Sequence, residues 1–258
     1  MRLLVTNDDG IGSVFLHELV RALLAADHEV FVAAPKLEQS WTGASKSRHR
    51  AVHSARAERR LGCPTWIVDG TPSDCVNIAL DHLLPARPDA VLSGINVGLN
   101  AGVAFILGSG TVAGACEGAL HGIPAIALSQ NLSIPVYDDL KEKGGVPDRG
   151  LMDILGCSAA QAARIAPALV AETPARSFIV HNVNFPYPCT AATRMRRTVP
   201  AQVILQGLFS PQAADGTHRL VFKLGDDTSP AAPLTDRAAL DAGFISHTVL
   251  DFSKLGSI

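Results

Sequence analysis

The sequence predicts an α/β fold built on an open, mainly parallel β-sheet with a β-rich C-terminal extension. Short apolar runs typical of buried strands alternate with segments whose apolar residues recur at helical spacing. Polar or glycine-rich stretches directly follow several of these runs, and ligands of open parallel sheets bind beyond the carboxyl ends of strands. After Pro186 the alternation stops and ribbon-like strands begin.

Length and composition are ordinary for a globular protein, with 258 residues, 47% hydrophobic and 18% charged. We expect a core over residues 1–186 and an extension over residues 187–258. The formal net charge of −2 argues against a nucleic-acid or membrane-surface binder. The five cysteines form no CxxC pair, and no signal-peptide pattern opens the chain. We therefore expect reduced thiols, a cytoplasmic location and no membrane span.

The chain opens with a β-α-β pattern. Residues 3–5 are an apolar run, residues 15–24 have helical spacing, and residues 29–34 form a second apolar run. A hydroxyl-rich loop over residues 36–50 follows. The later core elements are predicted as strands at 66–68, 90–92, 123–128 and 178–183, and helices at 75–83, 112–120 and 154–171. Thr71 or Ser73 could cap the first of these helices around Pro72.

The segment after Pro186 has a different pattern. Residues 203–209 and 219–223 resemble β ribbons around Asp215 and Gly216, and residues 244–250 are a last strand. We expect the strands after Pro186 to lie outside the core and to hold a homo-oligomer together. Five arginines lack interleaved aromatic residues and predict a solvated face: Arg48, Arg50, Arg56, Arg59 and Arg60.

Two adjacent carboxylates, Asp8 and Asp9, end the first strand. Adjacent acids raise each other's pKa unless a cation lies between them, so the pair is well suited to bind a divalent metal ion. The alternative is a polar loop that only caps the following helix.

Two further stretches could contact a ligand. Residues 93–102 are rich in Gly and Asn, as expected for a tight turn or for close approach to a ligand. Ser109, Gly110 and Thr111 begin a helix of small residues, where backbone N–H groups and hydroxyls favour an anion such as phosphate. The alternatives are a plain turn and a plain N-cap.

Several motifs together resemble the survival protein SurE family. They are NDDG at 7–10, Gln39-Ser40 with GAS at 43–45, DGTPSD at 69–74, SGIN at 93–96 with Gly98 and Asn100, SGTV at 109–112, NVNFP at 182–186 and GFIS at 243–246. The resemblance spans most of the chain. It implies a metal-dependent nucleotidase or acid phosphatase with a Rossmann-like core, assembled as a dimer or tetramer through C-terminal extensions.

The resemblance also implies roles for individual residues. Asp8, Asp9, Ser40 and Asn96 would hold one divalent ion, and Ser109, Gly110 and Thr111 would contact the substrate phosphate, with Asn96 beside them. All four ligands are hard oxygens, which suits Mg²⁺ or Mn²⁺. Asp8 and Asp9 would be the catalytic carboxylates.

The chain departs from the family pattern in two places. Trp41 and Thr42 look inserted before the Gly-Ala-Ser segment, so the ligand is Ser40 or Ser45, and we favour Ser40. Residues 103–107 are apolar where the family commonly carries an acid, which changes the mouth of the predicted site.

The predicted reaction is hydrolysis of a nucleoside monophosphate to nucleoside and phosphate, with 5′-nucleotides first and 3′-nucleotides second. Water or Asp8 could be the nucleophile, although aspartyl-phosphate enzymes usually show Asp-x-Asp spacing. A non-catalytic nucleotide-binding or regulatory protein is the main alternative. A dinucleotide-dependent oxidoreductase is disfavoured because two acids occupy the loop where G-x-G-x-x-G would lie.

Overall fold

The computed structural model describes residues 1–57 and 61–256, and a nine-stranded sheet forms its centre. The strands are β1 (Arg2–Thr6), β2 (Glu29–Pro35), β3 (Ser54–Arg56), β4 (Thr65–Val68), β5 (Ala90–Val97), β6 (Ala125–Gln130), β7 (Ile179–Phe185), β8 (Met195–Thr198) and β11 (Ile245–Asp251). A separate two-stranded ribbon pairs β9 (Val203–Ile204) with β10 (Asp226–Asp227). The order across the large sheet is β3-β4-β2-β1-β5-β6-β7-β11-β8.

Seven α-helices accompany the sheet within the described ranges. They are α1 (Val14–Ala25), α2 (Pro72–Ile78), α3 (Val103–Gly108), α4 (Gly110–Leu120), α5 (Ile134–Glu142), α6 (Arg149–Glu172) and α7 (Asp236–Asp241). A π-helical turn (Ala79–Leu83) continues α2, and a 3₁₀ turn (Phe252–Lys254) follows β11. Thr71 caps α2 in a capping box with Asp74, so Thr71 is the cap that the sequence left open between two residues.

The sheet is mainly parallel, as predicted. Strand β1 pairs in parallel with β2 and β5, and β6 is parallel to both β5 and β7. Only β3 against β4 and β11 against β7 are antiparallel in this sheet, among the residues that the structure describes. The carboxyl ends of β1, β2 and β5 therefore lie at one edge.

Helices cover both faces because the buried strands are apolar on both sides. Leu3 and Val5 point from β1 into a cluster formed with α1 and α6. Leu4, between them, packs on the opposite face with Cys75 and Val76 of α2. All three β1 side chains are fully buried. The continuous apolar run of β1 therefore matches its burial between two layers of helices.

Helix α6 is the one described helix that is long and apolar enough to cross a membrane, with a mean hydropathy of 1.4 over its best window. Half of that window is buried in the protein, and α6 packs against α1 and β6. A core helix accounts for these properties. All five cysteines fall within the described ranges, and each is free.

The C-terminal segment contributes more to the sheet than the sequence predicts. Strand β11 pairs with β7 from Asp251 opposite Ile179 to Ser246 opposite Asn184, and β8 pairs in parallel with β11. The expectation that the strands after Pro186 lie outside the core is therefore wrong for β8 and β11. The division of the chain at residues 186 and 187 stays a prediction.

The stretch between β8 and α7 forms a ribbon outside the large sheet. Its two arms run antiparallel, with β9 against β10 and a bridge between Phe209 and Leu220. Asp215 and Gly216 form the turn, as predicted, with the Thr217 N–H donating to Asp215 Oδ1 at 3.0 Å. We call residues 203–227 the tail hairpin.

The predicted solvated face can be checked for three arginines. Arg48, Arg50 and Arg56 are exposed. Arg59 and Arg60 lie outside the described residues.

Candidate active site

The turn after β1 is held against the turn after β2. The Ile11 N–H donates to the carbonyl of Pro35 at 2.8 Å, and the Gln39 N–H donates to the carbonyl of Asp8 at 2.7 Å. Gly10 has φ of +88°, and a Cβ there would come 3.2 Å from the backbone of Leu37. Glycine is needed for both reasons. These bonds bring the loop that carries Ser40 to the two aspartates.

Asp8 is almost fully buried at the end of β1, with 3% of its surface exposed. Its Oδ1 accepts a short hydrogen bond from the Thr111 hydroxyl. Burial raises the pKa of Asp8 to about 6, and the bonds from the Thr111 hydroxyl and from nearby backbone N–H groups act in the opposite direction. Thr111 therefore both orients Asp8 and favours its ionised form.

Asp9 is fixed from the other side. Its Oδ2 accepts the backbone N–H of Val97, at the end of β5, at 3.0 Å. Burial raises the pKa of Asp9 well above its ordinary value, and the negative charge of Asp8 adds to this effect. Two neighbouring carboxylates that repel each other are stabilised in their ionised forms by a cation.

Asn96 lies near the same strand end and is 8% exposed. Its Nδ2 donates to the carbonyl of Gly98 at 2.9 Å, which leaves the amide oxygen Oδ1 as the atom that it can offer to a ligand. Asp8, Ser40 and Asn96 all line one cavity.

Ser45, the other candidate ligand, lies outside the cavity lining. Its carbonyl accepts the Thr71 hydroxyl at 2.7 Å. The geometry thus favours Ser40 over Ser45.

The donor set suits a hard divalent ion. Across residues 1–57 and 61–256 there is no group of three or more His, Cys, Asp or Glu side chains that could hold a metal. The candidate set instead combines two carboxylates, one hydroxyl and one amide oxygen, and each is a hard ligand. Asp8 lines the cavity, whereas Asp9 does not.

The start of α4 has two functions. The Ser109 side chain accepts the Val112 N–H at 3.0 Å and is the N-cap of the helix, while Ser109 also lines the cavity. The N-cap alternative is thus correct for the Ser109 side chain. Gly110 and Thr111 do not line the cavity, and the Thr111 hydroxyl is directed to Asp8. The predicted hydroxyl contact from Thr111 to phosphate is therefore not what the geometry offers.

The loop that bears Ser40 is tied to the two neighbouring helices. Lys46 Nζ lies 2.5 Å from Glu117 Oε1 in α4, and Asn77 Nδ2 in α2 donates to Glu117 Oε2 at 2.8 Å. Asp74 accepts the Ser47 N–H at 3.1 Å. The acidic residue that ends the DGTPSD motif therefore holds this loop as well as capping α2.

The cavity has a volume of about 660 Å³ and extends from Asp8 toward the tail hairpin. The sequence did not assign several residues of its lining to the site: Glu38, Tyr137, Lys141, Phe222 and Arg237. Glu38 could have been found as the acid next to Gln39-Ser40. The other four come from α5, the tail hairpin and α7, for which the sequence offers no motif.

Comparisons with known proteins identify the family of this chain. The family model described as Survival protein SurE matches residues 3–205. A 5′-nucleotidase SurE of Cereibacter sphaeroides is 38% identical over 97% of this chain and 93% of its own length. A 5′-nucleotidase SurE of Desulforudis audaxviator is 48% identical over half of each chain.

A solved structure agrees as well. The crystal structure of the SurE protein from Aquifex aeolicus superposes with a TM-score of 0.75 at 27% identity and covers 100% of this chain and 98% of its own. The segments that carry Asp8, Asp9, Ser40 and Asn96 lie within the residues that the family model matches. This chain therefore belongs to the survival protein SurE family.

Proposed function

We propose that the protein is a metal-dependent phosphomonoesterase that hydrolyses nucleoside monophosphates to nucleoside and phosphate. 5′-Nucleotides are the first substrate class and 3′-nucleotides the second. The observation that carries the proposal is the adjacent pair Asp8 and Asp9 at a strand end, with Asp8 buried, hydrogen-bonded to Thr111 at the start of α4 and lining the cavity. Relatives of matching length are named 5′-nucleotidase SurE, which supports the same activity.

The residues that would hold one divalent ion per subunit, Mg²⁺ or Mn²⁺, are Asp8, Asp9, Ser40 and Asn96. When bound, the ion supplies positive charge that offsets the charge on the phosphoryl oxygens. The structural reason for expecting a cation is the charge of Asp8 and Asp9. Without a cation, burial and mutual repulsion disfavour the ionised forms of both carboxylates.

Residues of the chain itself orient the carboxylates, favour binding of the phosphoryl group and accept a proton. Val97 holds Asp9 and Thr111 holds Asp8, so both carboxylates are fixed before substrate arrives. The start of α4 carries the positive end of the helix dipole, which favours a phosphoryl group beside Ser109. We propose that an aspartate of the pair accepts the proton of an attacking water. The adjacent spacing of the acids, rather than Asp-x-Asp, favours water over Asp8 as the nucleophile.

No observation favours the non-catalytic alternative. Both carboxylates are present, and Phe105 from the apolar segment 103–107 lines the cavity.

We further propose a cytoplasmic homodimer or homotetramer. Free cysteines are usual in a reducing compartment. The tail hairpin carries exposed apolar side chains, including Ile204, Phe209 and Val221, that a second copy of the chain would cover. Light scattering on the full chain should give at least the dimer mass, and a monomer at micromolar concentration would contradict this assembly.

The activity is tested by phosphate release from a panel of nucleoside monophosphates with and without EDTA. The wild type should release phosphate, lose that activity in EDTA and regain it with Mg²⁺ or Mn²⁺. Asp9→Asn should abolish most activity, and its melting temperature without metal should equal or exceed that of the wild type because repulsion from Asp8 is relieved. Asp81→Asn, at an exposed carboxylate in the π-helical turn, is the matched control. Full activity in Asp9→Asn or in metal-stripped protein would contradict the proposal.

A further inference from the structure

The cavity is lined by two chemically different sets of side chains. Asp8, Asn96 and Ser109 form a polar set, and four aromatic side chains form the other. We call the second set, Trp41, Phe105, Tyr137 and Phe222, the aromatic wall. Its members come from the loop after β2, from α3, from α5 and from the tail hairpin. Four separate segments thus converge on one apolar surface.

The rings of the aromatic wall are in continuous contact. The Trp41 and Phe105 centroids are 5.7 Å apart, and those of Phe105 and Phe222 are 6.1 Å apart, edge to face. Tyr137 and Phe222 lie 6.3 Å apart with planes only 21° from parallel. These separations are in the range of favourable aromatic pairs.

Two of these residues come from the segments where the chain departs from the family pattern. Trp41 belongs to the inserted pair with Thr42, and Phe105 is the centre of the apolar stretch 103–107. Trp41 has φ of +63°, which is uncommon for a bulky residue, and a Cβ on Gly108 would come 3.2 Å from its ring. The two departures therefore form one packed unit in this chain.

Arg237 fixes the wall to the tail hairpin. Its guanidinium lies over the Phe105 ring, 4.9 Å from the centroid, and its Nη2 donates to the carbonyl of Leu224 at 2.8 Å. Next to it, Asp236 accepts the N–H groups of Gly102 at 2.8 Å and Ala201 at 2.9 Å. Both ends of the hairpin are thereby anchored beside the cavity, which positions Phe222 at its mouth.

The wall has an aromatic face to offer to a ligand. Phe105 is 5% exposed and serves as the base of the wall, while Phe222 is 51% exposed although its side chain lines the cavity. A flat ring placed on Phe222 would bury apolar surface on both partners. The volume of about 660 Å³ lies within the usual range for small-molecule sites.

We propose that the aromatic wall is a stacking site for the base of a nucleotide, with Phe222 as its specificity-determining residue. The phosphate then lies near Ser109, and the base lies against the wall. The substrate class is a phosphate monoester that carries a flat, uncharged ring, in preference to a sugar phosphate of the same charge. This inference rests on the proposed function, and the experiment below separates the failure of one from the failure of the other.

The test compares AMP with ribose 5-phosphate, which carries the same phosphoester on the same sugar and lacks the base. In the wild type, kcat/KM should be higher for AMP. In Phe222→Ala the ratio of the two kcat/KM values should fall about tenfold, from the usual contribution of one base stacked on an aromatic side chain. Phe222→Tyr should keep most of the ratio. Phe209→Ala removes a comparably exposed ring from the same hairpin outside the cavity and should leave the ratio unchanged.

Equal ratios in wild type and folded Phe222→Ala would overturn the stacking site. If Phe222→Ala does not fold, Trp41→Leu gives the same comparison from the other end of the wall. Hydrolysis of neither compound by the wild type would instead contradict the proposed function. Calorimetric Kd values for AMP and ribose 5-phosphate would then decide on the stacking site alone, since equal affinities would overturn it and a preference for AMP would support it.

Discussion

The Thr111 hydroxyl donates its hydrogen bond to Asp8 Oδ1, so the first residues of α4 hold the carboxylate at the end of β1. Both side chains are buried, and the bond links residues 103 positions apart in the chain. A residue that the SGTV motif suggests as a phosphate contact therefore holds the Asp8 carboxylate, which we propose as a metal ligand.

Removing that hydroxyl should reduce activity through Asp8. In Thr111→Val, Asp8 loses a donor to its ionised form, so its pKa should rise further and its orientation loosen. We expect kcat/KM to fall by roughly ten- to a hundredfold, equivalent to ~1.5–3 kcal/mol for a hydrogen bond to a charged group. Steady-state kinetics and thermal melting on the same protein measure the effect. Thr111→Ser keeps the hydroxyl and should retain most activity, and wild-type kinetics in Thr111→Val would refute the role.

Gly110 should be intolerant of a side chain for a reason that only the structure reveals. A Cβ at this position would come 2.8 Å from Asp8 Cβ and 3.1 Å from the carbonyl oxygen of Gln39. Neither neighbour is a flexible chain end, so Gly110→Ala should displace Asp8 and lower kcat/KM at least as much as Thr111→Val. Gly156→Ala, in α6, meets nothing within 4 Å and serves as the control. Normal kinetics in Gly110→Ala would show that the turn can relax without moving Asp8.

The Lys46–Glu117 pair should stabilise the loop that carries Ser40. The Glu117 side chain is 3% exposed, whereas that of Lys46 is 52% exposed. Lys46→Met leaves the buried carboxylate with Asn77 as its remaining partner, and we expect a loss of ~1–3 kcal/mol in the free energy of unfolding. Adding Glu117→Gln should restore part of it, because the unpaired charge is removed. Denaturant unfolding of the two single variants and the double variant completes the cycle. Additive losses would mean that the two side chains are not coupled.

The sequence predicted the sheet well where strands are apolar on both faces. The run Leu3 to Val5 and the segment 29–34 form inner strands of the sheet. Their side chains are apolar on both faces, and helices cover both faces there. It missed β8, whose sequence Met-Arg-Arg-Thr is mostly exposed at the sheet edge. It also missed α5, which buries only Leu140 and therefore has almost no apolar pattern. Weak local patterns become ordered there through pairing and packing that the sequence does not display.

In the site as well, some features could be predicted from the sequence and others depend on tertiary packing. The family resemblance places Asp8, Ser40 and Asn96 together, and all three lie at or after the end of a strand at one edge of the parallel sheet. The acceptor of the Thr111 hydroxyl could not be predicted, because it depends on the rotation of α4 about its axis. Phe222 reaches the cavity only through the anchoring of the tail hairpin at Asp236 and Arg237.

Outside the cavity lining, a directed hydrogen-bond chain joins β7 and β11. The Thr173 hydroxyl donates to the carbonyl of Leu169 at 2.7 Å, so it accepts from His181 Nε2 at 2.8 Å. His181 Nδ1 must then accept from His247 Nε2 at 2.8 Å, and His247 Nδ1 accepts from Arg197 at 3.3 Å. This order requires both imidazoles to be neutral.

Acid should therefore destabilise the fold through this pair. Burial and the positive charge of Arg197 lower the pKa of His181 to about 4, against a smaller effect of Glu172. Burial, His181 and Arg197 lower that of His247 to about 3.

The direction of the pH dependence follows from these shifts. Because the folded-state values lie below the unfolded value of about 6.5, the unfolded chain binds more protons in that interval. The stabilisation is complete above pH 6.5 and is lost as pH falls toward 4 and below. His247→Gln keeps a donor and an acceptor without a titrating ring. Between pH 6.5 and 4, the free energy of unfolding of the wild type should fall by ~1–3 kcal/mol more than that of His247→Gln. Asp8 and Asp9 titrate in both proteins, so their contribution cancels in the difference measured by urea unfolding at each pH. Parallel pH profiles for the two proteins would show that the pair accepts a proton without cost to the fold.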